Sequence, residues 1–341
     1  MGITLFERIH DSIRDKRENL ATWVDTASAE EKSVHLGPAG AEPLQAHLQV
    51  MDTTLAKTQD QTLGLCIICH EPVDTPLLEM DYTSCVCLDH FTEPEKRQLE
   101  SELEFSQEIQ RALLPQEAPD ISGVELAGFS QPAQILGGDI FDFPRYRDGM
   151  YGLAIADAMG HGVSASLLMT SLLTSLRTLV PENLSPVDVL EKINRLFLHN
   201  IHFTTFATVF LGWFDPQQRR LTYCNAGHNP PALYIARKKE VQWLMPTGAS
   251  IGLVENFQIE PVSLTLEEGD VLLLYTDGVV EAHNGQPGQF GYDRLSSLAQ
   301  RNANLKPNEL VQTLRRELAE FTDGHPLEDD VTIVAFKIVP R

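Results

Sequence analysis

Four short stretches of this 341-residue chain set carboxylates where an apolar run starts or stops, three of them beside glycine. They are Gly137-Gly138-Asp139 with Asp142, Asp157 in ADAMGHG, Asp277 in YTDG, and Asp329-Asp330 in EDDVT. Singly each is weak, because Asp-Gly is an ordinary turn. Together, at the ends of strand-like runs, they would repel one another unless a cation sat among them. Oxygen-only ligands select hard ions such as Mg²⁺ or Mn²⁺ over zinc. Glycines such as Gly138 let the backbone come close, so that a carbonyl can serve as a further ligand. A two-cation site of this kind activates water and stabilises an in-line displacement at phosphorus.

A second concentration of ligand-type residues lies upstream. Four of the five cysteines fall between Cys66 and Cys87. In a cytosolic protein such crowding favours metal over disulfides. Cys66 and Cys69, taken with Cys87 and His90, read C-x2-C-x17-C-x2-H, two knuckles suited to tetrahedral zinc. Cys85 is the alternative fourth ligand, and reduced core thiols without metal are the plainer reading of the same residues. Four protein ligands leave no open position, so a zinc ion here would be structural. Cys224, in a strand-like run, reads as buried and inert.

The elements that must position these groups separate by composition. Residues 2–26 carry a helical apolar pattern, a Gly/Pro-containing turn follows, and a second helix is expected from Glu42 to Thr62, giving a short antiparallel hairpin before the cysteines. A third helix is expected over 93–114, with Thr92 as N-cap, Pro94 in the first turn and Pro115 as its stop. Leu99, Leu103, Ile109 and Leu113 give it an apolar stripe, suited to packing on the neighbouring domain or to a dimer. Beyond residue 120, runs such as YGLAIADA, FATVFLGWF, RLTYCNAG, DVLLLYTD and VTIVAFKIV are strand-like, and two long helical patterns lie among them. Clustered strands with paired helices imply packed antiparallel sheets with helices outside, an α+β fold.

The formal charge of −22 argues against nonspecific binding to nucleic acid, and it makes an anionic substrate awkward unless cations neutralise the site. No uninterrupted apolar stretch approaches the roughly 20 residues of a membrane helix, and the amphipathic start lacks a signal peptide's apolar middle. The expected location is the cytoplasm.

GGDIFDF, DAMGHG, NAGHNPP, YTDGVVE and DDVT, in that order, resemble the SpoIIE/RsbU-like branch of PPM-type protein phosphatases, over residues 104–339. FSQEIQRALLP is similar to the helix that enters such domains. The resemblance implies an αββα sandwich, two Mn²⁺ or Mg²⁺ ions, and phosphoserine or phosphothreonine substrates on proteins. It implies that Asp157 bridges both ions with the carbonyl of Ala158 as a further ligand. Asp277 and Asp329 would hold the second ion, and Asp139 would support the site from its edge. Asp330 stands where related enzymes have asparagine and is assigned to the shell around the ions. The wider family's histidine position is occupied by Met159, so His161 is a candidate general acid and equally a helix-start residue, while His228 reads as structural. GGDIF lacks the acid that the GGDEF signature of diguanylate cyclases needs at Ile140, which sets that reading aside.

The cysteine segment and the hairpin before it resemble the DksA/TraR family, with His90 replacing the last cysteine. This implies a zinc finger and raises RNA polymerase as a partner. The chain therefore divides into a hairpin and zinc finger over 1–92, a linker helix over 93–115, and a phosphatase domain over 116–341. The leading expectation is a protein serine/threonine phosphatase acting on a regulatory phosphoprotein, an anti-sigma-factor antagonist by resemblance, under control of the zinc module; a homodimer through the linker helix is possible. The competing expectation is a transcription regulator that binds RNA polymerase, its phosphatase domain vestigial.

Overall fold

The computed structural model describes residues 42–59 and 92–341, apart from 147–148, 161, 183 and 201–205, together with residues 14, 17, 18, 21 and 65. The expected zinc ligands Cys66, Cys69, Cys87 and His90, the alternative Cys85, and also His161 lie outside the described residues. The chain forms two compact units, 1–101 and 102–341.

In the first unit, helix α1 spans Glu42–Gln59, and residues 60–62 of the expected helix lie outside the described residues. Arg17, assigned as helical, donates from Nε to Asp52 Oδ1 at 2.7 Å. Helix α2, Glu93–Leu113, begins in this unit and ends in the next.

Among the described residues the second unit has ten strands. They are β1 Val124–Gln131, β2 Asp139–Asp142, β3 Tyr151–Ala158, β4 Ala207–Asp215, β5 Arg220–Ala226, β6 Ala232–Ile235, β7 Glu240–Trp243, β8 Val262–Thr265, β9 Val271–Tyr275 and β10 Val331–Ile338. One sheet runs β1-β10-β9-β6-β7 and the other β2-β3-β4-β5-β8. The strand pairs within each sheet are antiparallel. Helices α3 Gly162–Leu179 and α4 Pro186–Asn200 follow β3. The short α5 Asp277–Val280 follows β9, with α6 Gly291–Arg301 and α7 Pro307–Thr322 after it.

The period-2 alternation of the strands sorts three cores. Leu153 and Ile155 of β3, Phe210 and Phe214 of β4, Leu272 and Leu274 of β9, and Val334 and Phe336 of β10 fill the space between the sheets. The intervening Ala154, Ala156, Val209 and Leu211 face the other way and pack with α3 and α4. On the opposite sheet Leu273, Tyr275, Ile333 and Ala335 pack with α6 and α7. The result is the αββα arrangement. Truncating an inter-sheet ring such as the fully buried Phe210 to alanine would cost about 3–5 kcal/mol.

Helix α3 buries Ala165, Leu168, Met169, Leu172, Leu173 and Leu176, the i, i+3, i+4 rhythm of a stripe laid on a sheet. The stretch Gly162–Glu182 is long and apolar enough to cross a membrane by length and composition; here that apolarity lines the helix-facing core. Leu113 and Leu114, at the end of α2, pack against the same core. Ile109 of the expected stripe is 47% exposed.

Candidate active site

The alternation that builds the sandwich also builds its polar end. On β2, Phe141 faces the other sheet, so Asp139 two residues earlier does too. On β3 the series Leu153, Ile155 continues to Asp157, which pairs in register with Asp139. On β9, Leu272 and Leu274 lead to Thr276; on β10, Phe336 and Val334 lead back to Thr332 and Asp330. The inter-sheet space is apolar along its length and turns acidic where these strands end.

Asp139 is buried and accepts a hydrogen bond from Thr276 Oγ1 at 2.6 Å. Thr276 Oγ1 in turn accepts from Thr332 N at 3.0 Å, tying the two strands beneath the acids. Burial, and then the neighbouring Asp157 and Asp330, hold the Asp139 carboxyl well above the usual carboxylate range. Burial foremost, followed by Asp277, Asp329, Asp330 and Glu281, pushes Asp157 up to about 8. Asp277, opening α5, is pushed up to about 6 by burial, Asp329 and Glu281, with the backbone at Gly278 opposing. Asp329 is exposed and accepts from Asp330 N at 2.8 Å.

Asp330 has a different position. Its Oδ1 accepts from Ala133 N at 2.7 Å and its Oδ2 from Gly138 N. Both oxygens are occupied with the loop before β2, so Asp330 fixes the Gly137-Gly138-Asp139 segment. Gly138 earns its place by proximity: a Cβ there would meet Ala165 Cβ at 3.0 Å and the Gly160 carbonyl at 3.1 Å. Ala158 is buried, its N donating to Gly138 O at 3.0 Å and its carbonyl beside the same glycine. A Cβ on Gly278 would collide with the Asp330 carbonyl, so the Asp-Gly turn is needed for α5 to approach β10.

Asp142 is not brought to this end. Three residues from Asp139 it points to the other face of β2, where Arg177 of α3 meets it, Nε to Oδ2 at 2.8 Å and Nη2 to Oδ1 at 3.0 Å. Arg177 also donates to the Leu113 carbonyl at 2.7 Å, anchoring the end of α2.

Several contributors went unnoticed in the sequence. Glu281 stands in YTDGVVE, four residues after Asp277, one helical turn on. Thr276 directly precedes Asp277. Gln110 donates to Gly137 O at 2.7 Å and accepts from Gly137 N at 3.1 Å, and Gln107 donates to Ile135 O at 2.8 Å, so α2 grips the loop leading to Asp139. His228, read as structural, is buried with Nδ1 2.8 Å from Thr208 Oγ1, and Thr208 pairs in register with Asp157. Burial pushes its imidazole down to about 4, so it is neutral at pH 7. Met159, in the wider family's histidine position, is 52% exposed.

The donor set around Asp157 is all oxygen and strongly self-repelling, which suits a hard divalent cation. Among the described residues no group of three or more histidine, cysteine, aspartate or glutamate side chains forms a metal site by itself.

An αββα sandwich with acids closing the space between its sheets is the architecture of a PPM-type protein serine/threonine phosphatase. A family model described as Stage II sporulation protein E (SpoIIE) matches residues 147–339, more than half of the chain, and the chain belongs to that family. By sequence it is similar to Phosphoserine phosphatase RsbU of Bacillus subtilis (strain 168), 26% identical over 71% of this chain and 71% of that protein. It is likewise similar to Phosphoserine phosphatase RsbP of the same organism, 32% identical over 53% of this chain and 45% of that one. Among solved structures, the SiaA-PP2C domain of Pseudomonas aeruginosa has a TM-score of 0.63 at 24% identity, covering 71% of this chain and 98% of that one. The RsbU and RsbW domains of Rv1364c from Mycobacterium tuberculosis give 0.56 at 29% identity, covering 64% and 61%.

Proposed function

We propose that the chain hydrolyses phosphoserine or phosphothreonine on a regulatory protein, using the acids at the end of the sandwich. The observation that carries this reading is the gathering of Asp139, Asp157, Asp277 and Asp329 with no cationic partner among the described residues, their buried members held above the ordinary carboxylate range. Asp157 and the Ala158 carbonyl would serve one Mn²⁺ or Mg²⁺ ion, Asp157 with Asp277 and Asp329 a second, and Asp139 would support them from the edge. When bound, such ions supply an activated water and charge stabilisation for in-line displacement at phosphorus. The chain's own residues set the frame: Thr276 orients Asp139, Asp330 and Gln110 fix the loop carrying Gly138, and His228 buttresses Thr208 behind Asp157.

RsbU and RsbP are phosphoserine phosphatases by name. The substrate we favour is correspondingly a small phosphoprotein, an anti-sigma-factor antagonist, in the cytoplasm. The remainder of the chain supports a regulatory role. We assign 1–92 to a helical hairpin with a structural zinc held by Cys66, Cys69, Cys87 and His90 or Cys85, joined through a linker helix over 93–115 to the catalytic domain from 116 on. The competing reading, a polymerase-binding protein with a vestigial phosphatase domain, would lead one to expect lost carboxylates, and all are present.

The test is Mn²⁺-dependent phosphate release from a phosphoserine protein. Wild-type chain should release phosphate and Asp277→Asn should not; equal rates for the two would sink the site assignment. Zinc content of the full chain, near one ion for wild type and near zero for Cys66→Ser, checks the N-terminal module.

A further inference from the structure

We propose that the cleft between the C-terminal turns of α2 and the end of β1 receives the substrate segment flanking the phosphorylated residue, and that Arg111 selects an acidic side chain there. This rests on the phosphatase reading above and gives its substrate a chemical character.

The cleft encloses about 440 Å³, within the range of ligand sites, roughly 300–1,000 Å³. Gln107, Gln110 and Arg111 of α2, Phe129 of β1, Gln134 and Asp139 are among the residues that line it. It is therefore continuous with the proposed catalytic acids, so a chain presenting its phosphorylated residue to them would extend along it.

The walls are fixed. The amides of Gln107 and Gln110 are engaged with the loop backbone at Ile135 and Gly137, and they shape the cleft without being free to reach a ligand. Arg111 is exposed and, among the described residues, makes no ion pair. The Arg315 guanidinium lies over the Phe129 ring at 3.6 Å, and its Nη1 donates to the neutral Gln312 amide oxygen at 3.0 Å. Among the described residues, Arg111 thus lines the cleft without a carboxylate partner, and the Arg315 guanidinium lies over Phe129, another of its lining residues. The setting makes them informative, since the chain carries 48 acidic and 26 basic residues. A protein repelling anions over most of its surface admits one best where cations stand uncompensated beside the reacting groups. Arg177, by contrast, is committed to Asp142. A guanidinium fork pairs two-pronged with a carboxylate, so an Asp or Glu near the phosphoserine is the chemistry this wall would recognise.

The experiment compares two phosphoserine peptides, one flanked by glutamates and one with those positions alanine, on the full chain with Mn²⁺. Wild type should favour the acidic peptide by about 10-fold in kcat/KM, the difference lying in KM, as one charge-assisted pair supplies. Arg111→Ala should bring the ratio close to one, Arg111→Lys should restore part of it, and Arg111→Glu should favour a lysine-flanked peptide. No preference in wild type, or an Arg111→Ala effect equal on both peptides, overturns the proposal. Fluorescence anisotropy of the labelled peptides separates it from the reading beneath it. Arg111-dependent binding without phosphate release would sink the phosphatase reading and leave the cleft assignment standing. Release without Arg111-dependent binding would do the reverse.

Discussion

The two acids of strand β2 lie three residues apart and meet opposite environments. Asp142 faces the helices and is held by both prongs of the Arg177 guanidinium. Asp139 faces the inter-sheet space, where a threonine hydroxyl and other acids surround it. On this strand the fold therefore pairs the acid that serves structure with a cation and leaves the other among acids. Leaving a neighbouring group uncompensated destabilises the cation-free chain, and such an arrangement persists where it serves function. The lesson is that an acid's strand parity decides its role, more than its place in a motif.

The strongest way to break this contrast is to neutralise one acid on each side. Asp157→Asn should lower Mn²⁺-dependent phosphate release by about 10³-fold, on the order of removing one principal electrostatic contributor to a transition state. Asp142→Asn should retain most activity in the same assay. Comparable losses in both would mean that the distinction has no functional content. The next effect is on stability. Arg177→Ala leaves Asp142 buried and unpartnered and releases the Leu113 carbonyl; it should lower unfolding stability by about 2–3 kcal/mol in urea, below the full penalty for a broken buried pair because Arg177 is 41% exposed.

How much of this was legible follows from the same contrast. The strands, the paired helices and the acidic motifs stand in the sequence because apolar alternation and Asp-Gly turns are local signals. That Asp139 and Asp157 become register partners was not legible, since it depends on which strand lies beside which. Asp330 was assigned to the shell around the ions, but the backbone it holds there, at Ala133 and Gly138, was not legible, because those contacts span nearly 200 residues. Gln110 and Thr276 were hidden for a similar reason. A polar side chain on a helix or beside a motif acquires its role only through the loop it meets.

A smaller effect, of opposite sign, concerns the cation-free protein. The Asp157 carboxyl is raised from about 3.8 when unfolded to about 8 when folded, so its contribution is fully present below the lower value and is lost as pH rises through the upper one. In EDTA, Asp157→Asn should therefore be more stable than wild type at pH 8 by about 1–2 kcal/mol, discounted for partial exposure, with the difference vanishing near pH 3.8. Adding Mn²⁺ should stabilise wild type by about 2.7 kcal/mol at 100 times the dissociation constant, and the variant by less. A variant less stable than wild type at pH 8 without metal would show that Asp157 is compensated after all.

The smallest expected effect tests how the uncompensated side is held in place. Gln110 satisfies both backbone groups of Gly137, and Asp330 independently holds the next residue through Gly138 N. Water can replace the glutamine's bonds at a half-exposed site, so Gln110→Ala should cost only about 1 kcal/mol of stability. Its consequence for the site should be larger than that figure suggests, because Gly137 lies two residues before Asp139 and nothing on the Asp142 side depends on it. A raised Mn²⁺ requirement for phosphate release, with the urea midpoint nearly unchanged, is the expected pair of results. An unaltered metal requirement would assign the loop to Asp330 alone and leave the grip of α2 without a role in catalysis.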